Sequence, residues 1–256
     1  MKIEIITLFP DFFEQSIRQS LLGKALEKKL FDIKILNLRD FTTDKHLTVD
    51  DTPYGGGGGM VLKLEPIDLC LQSLGYKPKT ENIVPEPNKK ERILLTSAAG
   101  KKFVQDRAIE LSLCERMTII CGHYLGIDER ILKLYDMDEL SIGDYILTGG
   151  EAAAFVITEA VVRLIPKVLG NFESALGDSY MNQMLGTPCY TRPADYFGFK
   201  VPDMLMSGDH VKIKKFRRFE AVKKCLNNRP DLINKDELTN KEIEMLKNDG
   251  FKIEDK

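Results

Sequence analysis

The chain has 256 residues, 43% of them hydrophobic and 30% charged, with a formal net charge of −2. That suits one large domain, or a core domain with a smaller companion, and gives enough apolar side chains for a real core. No apolar run reaches the roughly 20 residues of a membrane span, and the charged opening MKIEIITLFPDFFEQ is not a signal peptide, so a cytosolic protein is expected. The five cysteines, Cys70, Cys114, Cys121, Cys189 and Cys225, are odd in number and form no CxxC pair. A disulfide framework or thiolate zinc site is therefore not expected, and most of these thiols read as small buried hydrophobes.

In chain order, the pattern predicts strands over Lys2–Leu8, Phe31–Leu36, Arg92–Thr96 and Met117–Cys121, with another near Ser141–Leu147. Between them it predicts helices near Asp11–Lys28, Glu65–Leu74, Lys102–Leu113 and Glu151–Leu164. Strands and helices that alternate, with several strands apolar on both faces, describe an α/β domain with a largely parallel sheet. Two loops interrupt it, the glycine-rich Asp50–Met60 and the Pro-, Lys- and Glu-rich Gly75–Glu91. After Pro166 periodicity fades, and 167–179 reads as an interdomain linker. The domains expected are thus 1–166, an α/β domain, and 180–256, a helical one without a strong strand run. Thr239 followed by Glu242 resembles a capping box, and Gly250 suits a helix end.

The Gly55–Gly59 run is not a P-loop, because Met60 and Val61 follow where a lysine and a hydroxyl residue are required. It is a turned or flexible loop, or one that lets a planar ligand approach the backbone. Gly122 and Gly126 bracket a turn after an apolar strand, and Gly143, Gly149 and Gly150 punctuate the next such loop. Loops at the carboxyl ends of parallel strands are where open α/β sheets bind ligands. Two ordinary turns would look similar. The histidines at 46, 123 and 210 form no HxH or HxxxH pair, so no histidine metal site is expected, and no GxSxG marks a serine nucleophile. Asp178 alone would be a solvated or capping residue. The segment 210–224, HVKIKKFRRFEAVKK, holds seven basic residues against one Glu, while Cys225 to the end holds six basic and eight acidic. Such a patch faces phosphates or is a solvated helix face; charge alone does not separate the two.

Taken together, these segments resemble the bacterial TrmD family of tRNA (guanine-N1)-methyltransferases. The likeness is carried by Leu8-Phe-Pro10, Arg39-Asp-Phe-Thr-Thr-Asp-Lys-His46, Val49-Asp-Asp-Thr-Pro-Tyr-Gly-Gly-Gly57, Gly126-Ile-Asp-Glu-Arg130 and Ser141-Ile-Gly-Asp-Tyr145. It continues through Gly149-Gly-Glu151, Arg163-Leu-Ile-Pro166, Asp178-Ser179, Pro188, Tyr190-Thr-Arg-Pro193 and Ser207-Gly-Asp-His210. The resemblance implies a SPOUT-type α/β fold with a deep trefoil knot, a homodimer, and transfer of a methyl group from S-adenosylmethionine to N1 of guanine 37 in the tRNA anticodon loop. It implies cofactor contacts at Thr96, Ser97, Ala98, Gly100, Gly122, Tyr124, Ile142, Gly143, Asp144, Tyr145, Ile146, Leu147, Gly149 and Gly150. It makes Asp178 the general base and Arg163 the guanine-contacting arginine. It gives Lys214, Lys215, Arg217, Arg218, Ser207 and His210 to the anticodon stem-loop.

The chain departs from the family at four places. Ser97-Ala-Ala-Gly100 stands for Ser-Pro-Gln-Gly, His123 for an arginine, Leu125 for a carboxylate and Gly58 for a proline. Leu125 replaces a carboxylate that, by the resemblance, would help hold the methionine moiety or a magnesium ion, so a magnesium requirement does not follow from the resemblance. The alternatives are a same-fold enzyme acting on another base, a tRNA-binding protein of weak activity, and a nucleotide-binding enzyme using Gly55–Gly59.

Overall fold

Buried parallel strands must be apolar on both faces, and the chain meets that demand twice. In β1 (Lys2–Thr7) every residue after Lys2 is buried, and so is every residue after Arg116 in β6 (Arg116–Cys121). In the computed structural model, which describes residues 1–79, 88, 90–170, 177–181 and 183–252, these two strands lie side by side at the centre of a five-stranded sheet. The sheet is wholly parallel, with β2 (Asp32–Asn37), β1, β6, β5 (Glu91–Lys102) and β7 (Met137–Ser141) in that spatial order. The chain divides into two units, Met1–Gly170 and Asn171–Lys256.

Helices cover both faces of the sheet in the first unit. On one, α3 (Leu64–Ser73) and α5 (Arg130–Leu134) pack Ile67, Cys70, Leu71 and Ile131 against Ile6, Leu95 and Ile120. The other strand face takes α6 (Glu151–Val162), apolar on nearly every side, together with its neighbour α4 (Gln105–Ser112). A short antiparallel pair, β3 (Asp50–Asp51) and β4 (Val61–Leu62), closes the glycine-rich loop.

Three boundaries differ from the sequence expectation. The helix expected over Asp11–Lys28 is two, α1 (Asp11–Ser16) and α2 (Ser20–Glu27), because Gln19 is extended and Ser20 has φ +52°. Gly23 makes room for the break, since a β-carbon there would lie 2.1 Å from the Arg18 carbonyl oxygen. The strand expected near Ser141–Leu147 instead ends at Ser141. As an edge strand, β7 tolerates the polar sequence MDELS, so the apolar residues after it are not strand residues. Finally, β5 runs on to Lys102, where a helix was expected to begin. Thr96 and Lys101 both pair with Leu140, so Ser97–Gly100 bulge out of the ladder.

The second unit has a small helical core. Phe219, Val222 and Cys225 of α8 (His210–Asn228) are buried, the first two against Leu238 and against Ile243 and Leu246 of α9 (Asn240–Asn248). Thr239 and Glu242 form the expected capping box at the start of α9. Gly250, at φ +87°, ends it, with backbone bonds from Gly250 to Lys247 and from Phe251 to Leu246. The unit also holds a hairpin that the helical expectation for 180–256 omits, β8 (Asp195–Tyr196) with β9 (Phe199–Lys200), beside the short helix α7 (Asp203–Met206). Of the loop and linker read from composition, 80–87, 89 and 171–176 lie outside the described residues.

Candidate functional site

The bulged loop of β5 and the loops that leave the carboxyl ends of β6 and β7 meet around one cavity of about 470 Å³. Thr96, the last regular residue of β5, ties the first two together. Its hydroxyl donates to the Ile120 carbonyl at 3.2 Å and accepts from the Gly122 amide at 3.0 Å. The third loop docks on the second by backbone, with Gly150 N–H donating to the Gly122 carbonyl at 2.7 Å and an isolated bridge between His123 and Gly149. Glycine is required where the chains touch. A β-carbon on Gly150 would lie 1.9 Å from the Thr96 hydroxyl and 2.7 Å from the Gly122 nitrogen, and one on Gly122 would lie 2.4 Å from the Thr96 carbonyl oxygen.

Burial pushes the Cys121 thiol well above its ordinary range, and that of Cys70 up to about 12. Glu151, at the first position of α6, is buried and accepts a 2.8 Å hydrogen bond from Thr7 at the end of β1. The loop after β1 also reaches the site, where the Phe9 ring stands 5.3 Å from that of His123. Tyr124 has a phenol pushed up, first by burial and then by the Asp50 carboxylate beside it. The glycine-rich loop is joined to the β6 loop by the Leu125 amide, which donates to the Met60 carbonyl at 3.0 Å.

Of the residues expected to hold the cofactor, Thr96, Ser97, Ala98, Gly122, Tyr124, Ile142, Gly143, Tyr145, Ile146, Leu147, Gly149 and Gly150 line this cavity. Asp144 does not; its side chain is 91% exposed and 3.9 Å from Lys102. Nor does Gly100, whose missing side chain instead lets β5 press on the backbone of Glu139 and Leu140. The departures Ala98, Ala99, His123 and Leu125 all line the cavity. So do Glu129 and Glu139, two carboxylates that the sequence reading did not single out. Glu129 belongs to the segment Gly126–Arg130, whereas Glu139 precedes the strand expected near Ser141–Leu147. Among the described residues, no three His, Cys, Asp or Glu gather as a metal site.

Arg163 is the C-cap of α6 in the first unit, and Asp178 is half-buried in the second. In the second unit the basic side chains of α8 divide by role. Lys214, Lys215 and Arg217 are exposed and form no ion pair among the described residues. Arg218 differs, because its guanidinium bonds Glu242 at 2.7 Å and reaches the Glu237 carbonyl, clamping α8 to α9. Asp209 caps α8 by accepting from the Lys212 amide at 3.1 Å. Ser207 is a turn residue bonded to the Met204 carbonyl at 2.8 Å, and His210 opens the helix exposed to solvent.

A cavity lined by loop backbone at the carboxyl edge of a parallel sheet defines a small-ligand site of the α/β class, here on a chain with a separate helical unit bearing a basic helix. Comparison with known proteins narrows the class. Residues 1–235 match the family described as tRNA (Guanine-1)-methyltransferase TrmD, and the chain belongs to that family. A tRNA (guanine-N(1)-)-methyltransferase of Limosilactobacillus fermentum is 48% identical over 233 residues, covering 91% of this chain and 90% of that protein. Proteins of the same name from Bacillus cereus and Bacillus anthracis are each 47% identical over 246 residues, covering 96% of this chain and 97% of theirs. No described helix is long and apolar enough to cross a membrane.

Proposed function

We propose that the chain transfers the methyl group of S-adenosylmethionine to N1 of guanine 37 in tRNA, next to the anticodon. The observation that carries this reading is the meeting of three loops on glycines with no room for a side chain, around a cavity of about 470 Å³. That volume lies in the range of small-molecule sites. Its lining joins apolar residues such as Leu95, Leu140 and Leu147, suited to a planar base, with backbone groups and the carboxylates of Glu129 and Glu139, suited to hydroxyl and ammonium groups. The residues present therefore fit the cofactor. Thr96, Ser97, Gly122, Ile142, Leu147 and Gly149 would hold it. When bound, it supplies an electrophilic methyl group on a sulfonium.

N1 of guanine carries a proton and is a poor nucleophile until that proton leaves. Asp178 accepts it as general base. Arg163 faces the oxygen on which negative charge develops, as an electrostatic stabiliser. Lys214, Lys215 and Arg217 contact the phosphates of the anticodon stem-loop, which gives affinity more than sequence choice. The guanine leaves its stack to enter the site. The working unit is a homodimer, and Asp178 serves the cavity of the partner subunit.

The test is incubation of the purified protein with radiolabelled S-adenosylmethionine and a tRNA transcript with guanine at position 37, beside one with adenine there. Label in the first alone, mapped to N1, is the expected result. Label in neither, with folded protein that still binds tRNA, would favour a binding protein of weak activity. Ala98, Ala99 and Leu125 would then be the substitutions to revert, since all three line the cavity.

A further inference from the structure

The hairpin of the second unit turns on a residue that its backbone disfavours. Phe197 and Gly198 both have positive φ, +52° and +85°, as in a two-residue type I′ turn, where Asn-Gly is the preferred pair. Gly198 meets that demand. Phe197 does not, because its β-carbon is crowded in the left-handed region. The turn is nonetheless well made. The Asp195 carboxylate accepts from the Gly198 amide at 2.9 Å, and the Val201 amide donates to the Ala194 carbonyl at 2.8 Å.

The register sets Tyr196 opposite Phe199 and Asp195 opposite Lys200. One face of the ribbon is therefore aromatic and the other charged. Tyr196 is 62% exposed, Phe197 86% and Phe199 83%, and none of them joins the core cluster of Phe219, Val222 and α9. A strained turn that holds three aromatic rings in water is costly to keep unless the rings meet something.

We propose that this hairpin is a stacking platform for unpaired bases of tRNA, separate from the phosphate contacts of α8. The proposal rests on tRNA being the substrate. Aromatic faces accept any base, and bases splayed from a loop are what such faces bind. Charge complementarity favours RNA over a protein surface. Lys200, next to Phe199 in the ribbon, is an exposed cation, whereas the carboxylate of Asp195 accepts a hydrogen bond within the turn.

The chain has no tryptophan, so Phe197→Trp places a single tryptophan, excited apart from the eight tyrosines, at the hairpin tip. Its emission is expected to be quenched when an unmodified tRNA transcript is added, and to be unchanged by dilution of the free protein. Lack of quenching while the variant still binds tRNA by filter assay would overturn the proposal. So would emission that is already blue-shifted and moves to the red on dilution, which would mean that a second copy of the chain covers the rings. Phe197→Asn supplies the second measurement, because asparagine suits the turn. The melting temperature should hold or rise, and tRNA affinity should fall at least about five-fold with its salt dependence unchanged. Lys214→Ala, Lys215→Ala and Arg217→Ala together should instead flatten the salt dependence. An unsubstituted chain that binds no tRNA at all would remove the substrate reading itself, and this proposal with it.

Discussion

Gly150 has no room for a side chain, whereas Gly58 has nothing within 4 Å of where one would stand and does not need a left-handed backbone. Two glycines in conspicuous glycine-bearing loops should thus respond oppositely to one methyl group. Gly150→Ala is expected to cost at least about 1–3 kcal/mol by overpacking Thr96 and Gly122, and to abolish cofactor binding by calorimetry. Gly58→Ala should stay within about 0.5 kcal/mol of the parent, although five glycines in a row are the louder signal in the sequence. Asp178 poses the reverse case, a residue that only a resemblance singles out. In the proposed mechanism its carboxylate accepts the proton, so Asp178→Asn should lower kcat about 100-fold or more and leave the affinity for S-adenosylmethionine in place. A variant that kept full turnover would exclude Asp178 as the base.

Among the elements, the central strands carry more than packing. Glu4 of β1 is fully buried, and its carboxylate receives Arg116 of β6 at 2.8 Å, Thr118 of β6 at 2.7 Å and Lys2 at 2.7 Å. Arg116 also bonds the Leu74 carbonyl at 2.7 Å and lies over the Tyr76 ring, so the network binds the end of α3 to the sheet. Burial pushes the Glu4 carboxyl up, but the hydrogen bonds from Arg116, Lys2 and Thr118 outweigh it and hold the group below the ordinary carboxylate range. A carboxyl lowered on folding lends stability that is complete above the ordinary carboxylate range and is lost as pH falls through the folded value. The parent should therefore lose stability in chemical unfolding as pH falls below the ordinary carboxylate range. Glu4→Gln should be about 3 kcal/mol less stable at pH 7, with that acid limb flattened. The strands themselves were legible because Ile3, Ile5, Ile6, Ile119 and Ile120 admit no exposed face. Edges were not. MDELS does not read as a strand, so sequence alone places β7 too late and gives Glu139 no place at the cavity. The hairpin at Asp195–Lys200 was missed because Phe-Gly is not a turn pair that sequence reasoning expects. What the cavity loops do with their glycines was foreshadowed by position, but the contact of Gly150 with Thr96 joins residues 54 apart and lies beyond any local pattern.

At the scale of the whole molecule, the residues of the proposed reaction fall in both units. The first unit holds the cavity and Arg163; the second holds Asp178 and the basic helix. If each site takes its cavity and Arg163 from one subunit and Asp178 from the partner, two inactive proteins can repair one another. In a heterodimer of Asp178→Asn with Arg163→Ala, one site receives both intact residues and the other receives neither. Random reassociation gives half heterodimers with one good site in two, so about a quarter of the parent activity should return. Sites complete within one subunit would behave otherwise, since every site of the heterodimer would carry one lesion and mixing would restore nothing. The measurement is methyl transfer to guanine-37 transcript after the two variants are mixed, briefly denatured and refolded together, with each variant refolded alone as the baseline. Recovery near a quarter would make the dimer a catalytic requirement, because the proton acceptor and the methyl donor would then belong to different chains.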